Sequence, residues 1–513
     1  MVYKVYSGRV GGVFGDLITV EVDVSAGLPG TEIIGLAGSD VKEAKDRVRV
    51  ALRNSGVNLP AMRIVINLSP ADEHKEGAGF DLAIAAALLG VMGKNEFFAP
   101  EEALVVGALS LDGKILPVSG VLPIVRFAKE RGFKQVIVPK VNAKEASLIR
   151  DIDIIPMDTL SDFITYLSLP FGEKKAAFPP FKSDGGDPFE NTEGEALDFS
   201  DVSGQDTVKR AAAIAAAGMH HLLMIGPPGT GKSLIAKRIP GILPPLTYEE
   251  CLEVTSVYSV SGKLNGKTPF MTRRPFFGPH HTASPQAIVG GGGDARPGLV
   301  SLSHRGILFL DEMTEFKKET LDMLRQPLED GEITVSRAKK TYTYPAKFML
   351  VAAMNPCPCG YYPDRNRCMC TDGQVSKYLS KISGPIADRI DICVEVSRMD
   401  LKEIAGGKKG LSSAEIAANV ARAVKIQSER FAKETFKYNS LIPSSKMEKY
   451  VPLSDGERDY AYSVYESLKM STRAFYKMLR VARTIADFDG DAKVTKKHIA
   501  EASCYRFPEY MGG

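Results

Sequence analysis

The strongest chemical signal in the sequence is one glycine-rich stretch of eight residues. It reads Gly226, Pro227, Pro228, Gly229, Thr230, Gly231, Lys232 and Ser233, and it fits the pattern G-x-x-x-x-G-K-[ST] between a strand-like and a helix-like run. In such a loop, backbone N–H groups surround a phosphate, the lysine reaches the terminal phosphates and the serine hydroxyl binds Mg²⁺. We therefore predict a site for ATP with Mg²⁺, and an ordinary glycine-rich turn is the weaker interpretation.

Two later apolar runs end in polar side chains that would complete such a site. The run 306–310 ends in Asp311 and Glu312, where hydrolysis needs one carboxylate for Mg²⁺ and one to polarise water. The run 348–354 ends in Asn355, whose amide is suited to orienting the attacking water. Solvated residues at ordinary strand ends are the alternative for all three.

Four of the seven cysteines crowd into one short loop. They form two Cys-x-Cys pairs, Cys357 with Cys359 and Cys368 with Cys370. Four thiolates at this density can make a tetrahedral Zn²⁺ site, although the spacing is tighter than the usual C-x₂₋₄-C, and a loop without metal is the alternative. Seven cysteines in 513 residues are too few for a disulfide framework.

Two further segments could carry chemistry. His280 and His281 are adjacent but have no cysteine or acid at ligand spacing, so we prefer a packing or loop role to a metal or acid–base site. The segment 328–344 predicts a β-hairpin whose basic tip could contact the phosphates of DNA, and a solvated hairpin is the alternative. The basic residues of that tip are Arg337, Lys339 and Lys340.

Hydrophobic periodicity predicts the elements that position these residues. Before about residue 165, strand-like runs at 17–24, 64–68 and 135–139 alternate with helix-like runs at 39–54, 80–92 and 121–131. After residue 200, strands at 221–225, 306–310 and 347–353 alternate with helices at 231–239 and 314–328, which predicts a parallel sheet. Beyond about residue 400, helical runs at 413–431, 455–470 and 472–486 predict a helical bundle.

Length and composition agree with this division. A chain of 513 residues accommodates about three domains, and we expect an α+β domain at 1–165, a Pro- and Gly-rich linker at 166–199, a nucleotide-binding core at 200–400 and a helical domain at 401–513. The 65 Lys and Arg against 62 Asp and Glu give a net charge of +3, which excludes a protein that coats polyanions along its whole surface. Neither a membrane span nor a secretory signal is recognisable, so we expect a cytoplasmic protein.

The nucleotide-site residues resemble those of the AAA+ ATPase superfamily. The string 383–391 resembles the segment in which an arginine finger, here Arg389, reaches the ATP of a neighbouring subunit. The string 471–473 resembles the second sensor of the lid, which implies a role at ATP for Arg473 in preference to Arg480 or Arg483. A finger that acts on a neighbour implies a homo-oligomeric ring.

Further strings narrow the resemblance. The runs PHHTAS and GPIADRIDI, together with the two Cys-x-Cys pairs, resemble the YifB/ComM family of magnesium-chelatase-like AAA+ proteins over the whole chain. The resemblance implies a Lon-protease-like N-terminal domain, a P-loop AAA+ core with pore-facing insertions and a helical C-terminal lid. It also implies a hexameric helicase that promotes branch migration on single-stranded or branched DNA during natural transformation. An ATPase subunit of magnesium-chelatase type, acting on a protein partner, is the alternative.

The implied Lon-like domain lacks the residues of the Lon protease dyad. Gly79 occupies the position of the nucleophilic serine, and Leu122 occupies the position of the lysine that activates it. Because glycine offers no nucleophile and leucine cannot accept a proton, peptide hydrolysis by this route is not expected. We expect the domain to act as a scaffold or a partner-binding collar.

Overall fold

The structure is a computed structural model that describes residues 2–72, 75, 77–92, 103–182, 197–264, 269–292, 295–337, 340–398 and 410–507, with only the backbone at Phe171, Arg337 and Lys340. The chain forms two compact units. The first comprises Met1–Asn191 and Tyr248–Thr272, and the second comprises Thr192–Thr247 and Arg273–Gly513. The segment Tyr248–Thr272 therefore departs from the expected boundaries, because it groups with the N-terminal residues and not with the nucleotide-binding core.

The described part of the first unit is built on a seven-stranded sheet. In spatial order its strands are Gly30–Ile34, Arg63–Ser69, Phe14–Ser25, Tyr3–Gly11, Ala103–Val105, Gln135–Pro139 and Asp153–Met157. Phe14–Ser25 pairs antiparallel with both of its neighbours, and the other pairings are parallel. The helices are Ser39–Asn54, Asp81–Val91, Val121–Glu130, Ala143–Ala146, Leu160–Ser168 and Phe171–Ala177, and Ala108–Leu109 and Ile115–Leu116 form a small separate ribbon. This arrangement confirms the predicted α+β domain.

Local sequence explains the core of this unit. Ile18, Val20 and Val22 are fully buried and alternate with partly exposed residues, as expected of a strand with one face on the core. Helix Asp81–Val91 is apolar on all sides and buried along nearly its whole length, so it lies inside the unit rather than on its surface.

The predicted linker is wrong over its first part. Residues 166–168 complete helix Leu160–Ser168, which begins with a capping box formed by Thr159 and Asp162, and helix Phe171–Ala177 follows it. Farther along, the backbone N–H of Phe181 donates to the carbonyl of Ile154 at 2.7 Å. Residues 183–196 of the predicted linker lie outside the described part of the chain.

Helix Tyr248–Val260 belongs to the first unit through hydrogen bonds at both of its ends. Near its start, the Tyr248 hydroxyl donates to the carbonyl of Leu148. Near its end, the Ser259 hydroxyl donates to the buried carboxylate of Glu145, which also accepts from the N–H of Leu122 at 3.0 Å. Burial raises the pKa of Glu145, while these hydrogen bonds act in the opposite direction.

The second unit is built on a sheet in which all pairings are parallel. In spatial order its strands are Phe276–Phe277, Ile307–Leu310, Met349–Met354, Leu222–Ile225 and Ile392–Glu395. Numbered by their order in the chain, they stand 2-3-4-1-5. The middle three strands are buried at every residue, as expected of a sheet covered by helices on both faces. The predicted parallel sheet is thereby confirmed.

Short helices and hairpins complete this part of the second unit. The described α-helices are Asp206–Gly218, Lys232–Ala236, Pro285–Val289, Leu299–Leu302, Lys318–Asp322, Arg325–Asp330, Asp372–Leu379 and Gly384–Ala387, and the 3₁₀ turns are Phe199–Asp201, Ile239–Ile242 and Met313–Glu315. Gly290–Gly291 pairs with Arg296–Pro297, and Glu332–Arg337 pairs with Lys340–Pro345. The single helix predicted at 314–328 is wrong, because Phe316, extended at φ −66°, ψ 148°, separates the 3₁₀ turn Met313–Glu315 from two short helices, Lys318–Asp322 and Arg325–Asp330.

The C-terminal part of the second unit is helical, as predicted. Its helices are Ser413–Arg430, Met447–Tyr450, Asp455–Ser467, Thr472–Asp489 and Lys496–Cys504, with 3₁₀ turns at Asn439–Leu441 and Ser444–Lys446. The sequence pattern predicted the three long helices and did not reveal the short ones. Among the described residues, none of the helices combines the length and apolarity needed to span a bilayer.

Candidate active site

The phosphate-binding loop has the backbone that its glycines permit. Gly229 and Gly231 have φ values of 76° and 88°, in the left-handed region that glycine adopts without strain. Gly226 lies close to the residue that follows strand Ile392–Glu395. A Cβ added at Gly226 would stand 2.2 Å from the carbonyl oxygen of that residue, Val396. No heavy atom lies within 4 Å of the position of a Cβ at Gly229, so the loop leaves open space on that side.

Lys232 is buried at the start of its helix and its ammonium group lies inside the loop. Its Nζ donates to the carbonyl oxygens of Gly226 at 2.6 Å and Pro227 at 2.8 Å. Burial lowers the pKa of Lys232, and the charges of Asp311 and Glu312 oppose that shift. The ammonium is therefore placed to exchange loop carbonyls for phosphate oxygens.

Two oxygen ligands suited to Mg²⁺ meet beside the loop. The Ser233 hydroxyl donates to Oδ2 of Asp311 at 2.6 Å, although the two residues are far apart in sequence. Sheet topology produces this contact, because strands 222–225 and 307–310 flank strand 349–354 and all three end at the same edge. A hydroxyl and a carboxylate oxygen are a donor set that Mg²⁺ prefers, so these residues fit the ion.

Glu312 projects from a turn that departs from ordinary backbone geometry. Its φ is 50°, and its N–H donates to Oδ1 of the preceding Asp311 at 3.0 Å. The side chain is 60% exposed, so its carboxylate can reach a water molecule. Placement next to Asp311 is the arrangement expected of a general base beside the metal ligand.

Asn355 follows the strand that lies between the strand before the phosphate-binding loop and the strand before Asp311. It directly follows strand Met349–Met354, and its Oδ1 accepts from Nζ of Lys232 at 3.3 Å. The structure therefore brings the loop, Asp311, Glu312 and Asn355 to one edge of the sheet, where the sequence pattern predicted them.

His281 is a neighbour of this site that sequence reasoning set aside. Its Nδ1 lies 3.7 Å from Oε2 of Glu312, and its ring packs edge-on against Phe316 at 6.5 Å and lies 4.1 Å from the ring of His280. Ligand spacing reveals only partners that are close in sequence, whereas this partner is about thirty residues away. Only the tertiary fold reveals the contact.

Arg389 is not brought to the phosphate-binding loop of its own chain. Its guanidinium forms an ion pair with Glu329 and donates to the carbonyl of Pro385 at 2.6 Å. The side chain is only 9% exposed in this arrangement. A role at ATP would require this ion pair to open.

Arg473 is also remote from the loop of its own chain. It is exposed in the first turn of helix Thr472–Asp489, and one turn later Lys477 donates to the carbonyl of Ile390 at 2.6 Å. Ile390 precedes strand Ile392–Glu395, so this helix start lies by the edge where the parallel strands begin. The phosphate-binding loop lies at the opposite edge.

The two alternative arginines on that helix have structural partners. Arg480 donates to the carbonyl of Ile442 at 2.8 Å, and buried Arg483 donates to Asp487 at 2.8 Å and to two backbone carbonyls.

The predicted basic hairpin is confirmed at the level of the backbone. Its strands pair antiparallel, with Arg337 opposite Lys340 at the tip. Lys339 lies outside the described residues, and the side chains of Arg337 and Lys340 are not described.

The four clustered cysteines converge. Their sulfur atoms all lie within 4.8 Å of one another, and none is in a disulfide. The Cys357 sulfur is 3.3 Å from that of Cys359 and 3.7 Å from that of Cys368, and the sulfurs of Cys359 and Cys368 are 3.5 Å apart.

The fold and the site together define a class of protein. A phosphate-binding loop follows the first strand of a parallel 2-3-4-1-5 sheet, two carboxylates follow the third strand and an amide follows the fourth. This arrangement is that of a P-loop ATPase of the AAA+ class, for which ATP and Mg²⁺ are the expected cofactors.

Comparison with known proteins identifies the family within that class. Family models described as magnesium chelatase subunit ChlI match residues 198–404, 20–142 and, for the C-terminal part of that subunit, 410–506. The competence protein ComM of Haemophilus influenzae is 40% identical over 98% of this chain and 97% of its own length. The uncharacterised protein YifB of Escherichia coli is 41% identical over 96% of this chain and 95% of its own. The chain belongs to the YifB/ComM family of magnesium-chelatase-like AAA+ proteins.

The N-terminal region is similar to part of a protease. The archaeal Lon protease of Pyrococcus abyssi is 30% identical over 148 residues, which are 28% of this chain and 14% of that protein. In the structure, Leu122 is 1% exposed, and a Cβ on Gly79 would lie 3.2 Å from Cγ1 of Val118. The two residues predicted to stand at the Lon dyad positions are thus a core leucine and a glycine that lies close to Val118.

Proposed function

We propose that the protein is an ATP-driven, ring-shaped DNA motor of the cytoplasm that remodels single-stranded or branched DNA during recombination. The observation that supports the proposal is that Lys232, Ser233, Asp311, Glu312 and Asn355 meet at one edge of the sheet, where they would form one chain's share of a hydrolytic site. A protein that only binds nucleotide as a switch has no need of a general base and a water-orienting amide.

Within this proposal each residue of the chain has a defined task. ATP with Mg²⁺ supplies the phosphoryl group and the neutralising charge when bound. The N–H groups of the loop and Lys232 bind phosphate oxygens, while Ser233 and Asp311 hold the metal. Glu312 accepts a proton from the attacking water, and Asn355 orients that water.

The charge that develops at the γ-phosphate needs a cation from another chain. Arg389 is paired with Glu329 in its own chain and the helix of Arg473 lies at the opposite edge of the sheet, so both support a site shared between neighbouring copies. A homo-oligomeric ring, which we propose to be a hexamer, places one copy's arginines at the next copy's ATP.

The DNA part of the proposal rests on two supports. One is the near full-length similarity to a competence protein, and the other is the hairpin whose tip carries Arg337, Lys339 and Lys340 in sequence. Cations that neutralise backbone phosphates give binding that weakens steeply with salt.

The test is the ATPase rate with single-stranded, duplex and four-way-junction DNA across a salt series, with Glu312→Gln as the inactive control. We expect single-stranded or junction DNA to raise the rate several-fold at low salt, and the stimulation to fade as salt increases. Branch-migration assays on the same preparation should then show movement that requires hydrolysis. An ATPase that responds to none of these DNAs and moves no junction contradicts the motor.

A second candidate is an ATPase subunit of magnesium-chelatase type that acts on a protein partner. The family models favour it, because all three carry the name of a chelatase subunit and one of them covers the N-terminal region. An ATPase rate that does not respond to DNA but rises when a co-purifying protein is added would support this candidate.

A further inference from the structure

The four-cysteine loop has the geometry of a closed metal cage. Four sulfurs at about 2.3 Å from a central Zn²⁺ stand about 3.8 Å apart in a tetrahedron. The observed separations of 3.3, 3.5 and 3.7 Å agree with that edge, and all pairs fall within 4.8 Å. Disulfide bonding would require sulfurs about 2.05 Å apart, and an iron–sulfur cluster would hold its four thiolates farther from one another.

The surroundings of the cage are those of a structural metal site. Cys357, Cys368 and Cys370 are buried, and Cys359 is partly so. The N–H of Tyr362 donates to the sulfur of Cys357 at 3.4 Å, the kind of contact that orients a thiolate ligand. With four protein ligands, such a site has no open position for catalysis.

The loop is connected to the phosphate-binding loop by direct contact. Gly360 lies at φ 85° between the two cysteine pairs, and a Cβ on it would stand 2.5 Å from Cδ of Pro228. A side chain at this position would therefore displace the segment that surrounds the phosphates.

Two more connections link the cysteine loop to Asn355 and to the turn that holds Glu312. Cys357 follows Asn355 after a single proline, so the cage anchors the end of that strand. Helix Asp372–Leu379 begins two residues after Cys370, and its Tyr378 accepts a 2.5 Å hydrogen bond from the hydroxyl of Thr314, which lies two residues beyond Glu312.

We infer that Cys357, Cys359, Cys368 and Cys370 bind one structural Zn²⁺ that holds the phosphate-binding loop, Asn355 and the Glu312 turn in their relative positions, so that nucleotide affinity depends on zinc occupancy. The dependence of nucleotide affinity on zinc rests on the proposed ATP site. The metal site itself stands on the sulfur geometry alone. Loss of zinc frees the loop that Gly360 supports and lowers affinity for ATP without changing any residue that touches ATP.

Metal content tests whether the four cysteines bind zinc. Wild-type protein purified under reducing conditions should carry about one zinc per chain by elemental analysis, and exposed Cys504→Ser should carry the same amount. Cys357→Ser combined with Cys368→Ser should carry less than about a tenth as much. Because that variant could misfold, wild-type protein from cobalt-supplemented cells provides a second measurement, and it should show the visible absorption of a tetrahedral cobalt thiolate. Zinc-free wild type without that absorption, or iron in place of zinc, overturns the assignment.

Nucleotide affinity tests whether ATP binding depends on the zinc. The Kd of a fluorescent ATP analogue should rise roughly tenfold when a chelator removes zinc from the wild type, and should recover on adding zinc back. Gly360→Ala should weaken binding by a similar factor while keeping its zinc, because the added methyl group displaces Pro228. Gly490→Ala is the matched control and should bind as the wild type does, because Gly490 has the same φ of 85° and a Cβ there meets nothing within 4 Å.

The outcomes separate the inference from the proposed function. An unchanged Kd after zinc removal, with normal ATPase, overturns the coupling and leaves the ATPase intact. Absence of nucleotide binding in zinc-loaded protein contradicts the ATP site and leaves the metal site standing.

Discussion

Glu312 lies one residue beyond Asp311 with a φ of 50°, in the left-handed region that costs a residue with a side chain about 1–2 kcal/mol. Its N–H donates to Asp311, and the next turn is fixed by the bond between Thr314 and Tyr378. The Glu312 carboxylate lies 3.7 Å from Nδ1 of His281, whereas Oδ2 of Asp311 accepts from the Ser233 hydroxyl, so the two neighbouring acids have different surroundings.

Glu312→Gln tests the role of that carboxylate as the general base. We expect turnover to fall by roughly 10²- to 10⁴-fold, because an amide cannot accept the proton of water. Affinity for an ATP analogue should stay within about threefold, since the size and shape of the side chain are retained. Hydrolysis is measured by phosphate release and affinity by fluorescence titration. Wild-type turnover in the variant would assign the base elsewhere.

The sequence correctly predicted the position of a residue where that residue directly follows a strand. Asp311 and Asn355 follow buried apolar runs, so a parallel sheet had to bring them to one edge. The sequence did not predict the contacts of residues that lie on loops. The contact of His281 with Glu312 and the pairing of Arg389 with Glu329 depend on how distant segments pack.

At the scale of elements, His221 fastens two strands of the second unit. It precedes strand Leu222–Ile225, and its Nδ1 accepts from the N–H of Leu350 at 3.0 Å. Burial lowers the pKa of His221, which the charge of Asp391 opposes and the charges of His220 and Lys477 reinforce. The imidazole is therefore held neutral, as an acceptor must be.

The pH dependence of stability follows from that lowered pKa. Below about pH 6.5 the unfolded chain takes up a proton at His221 that the folded chain refuses, so this contribution is complete above that pH and is lost as the pH falls. We expect His221→Asn, which keeps an acceptor oxygen, to lose less stability than the wild type between pH 7 and 5. The difference in slope is at most about 1.4 kcal/mol for a change of one in pH, the limit for a single proton. Urea unfolding at each pH provides the measurement, with His281→Asn as the control. Identical pH profiles for the wild type and His221→Asn would contradict this assignment.

Long periodic elements were predictable and short ones were not. Helices 39–54 and 413–430 have enough turns for their apolar stripe to be read from sequence, and the structure confirms them. Around residues 313–330 an equally helical pattern is divided by the extended Phe316, which is buried at 3% exposure. Tertiary burial determined that break, and local preference could not predict it.

At the scale of the whole molecule, the proposed ring makes each ATP site a shared one. Arg389→Ala should lower turnover by roughly 10³-fold or more, the effect of removing an arginine finger. Because Glu329 is 56% exposed, removing its partner should cost little stability, and Glu329→Ala should keep wild-type turnover.

Mixing two inactive variants tests whether the finger acts on a neighbour. Arg389→Ala has an intact loop and base, whereas Glu312→Gln has an intact finger. Randomly mixed rings contain complete sites at about a quarter of their interfaces, so the mixture should recover up to about that fraction of turnover. A mixture as inactive as its components would place Arg389 outside the site.

The segment Tyr248–Thr272 has a consequence for how the molecule is made. Its helix follows the phosphate-binding loop in the chain, yet its Ser259 and Tyr248 bond to Glu145 and Leu148 of the first unit. During synthesis, residues 1–191 emerge from the ribosome first, but they cannot complete their own structure until residue 272 has followed. By then the strand and loop of the nucleotide site have also been made. Completion of the N-terminal unit therefore waits for the first strand and the loop of the nucleotide site, although it precedes synthesis of the other four strands of that site's sheet.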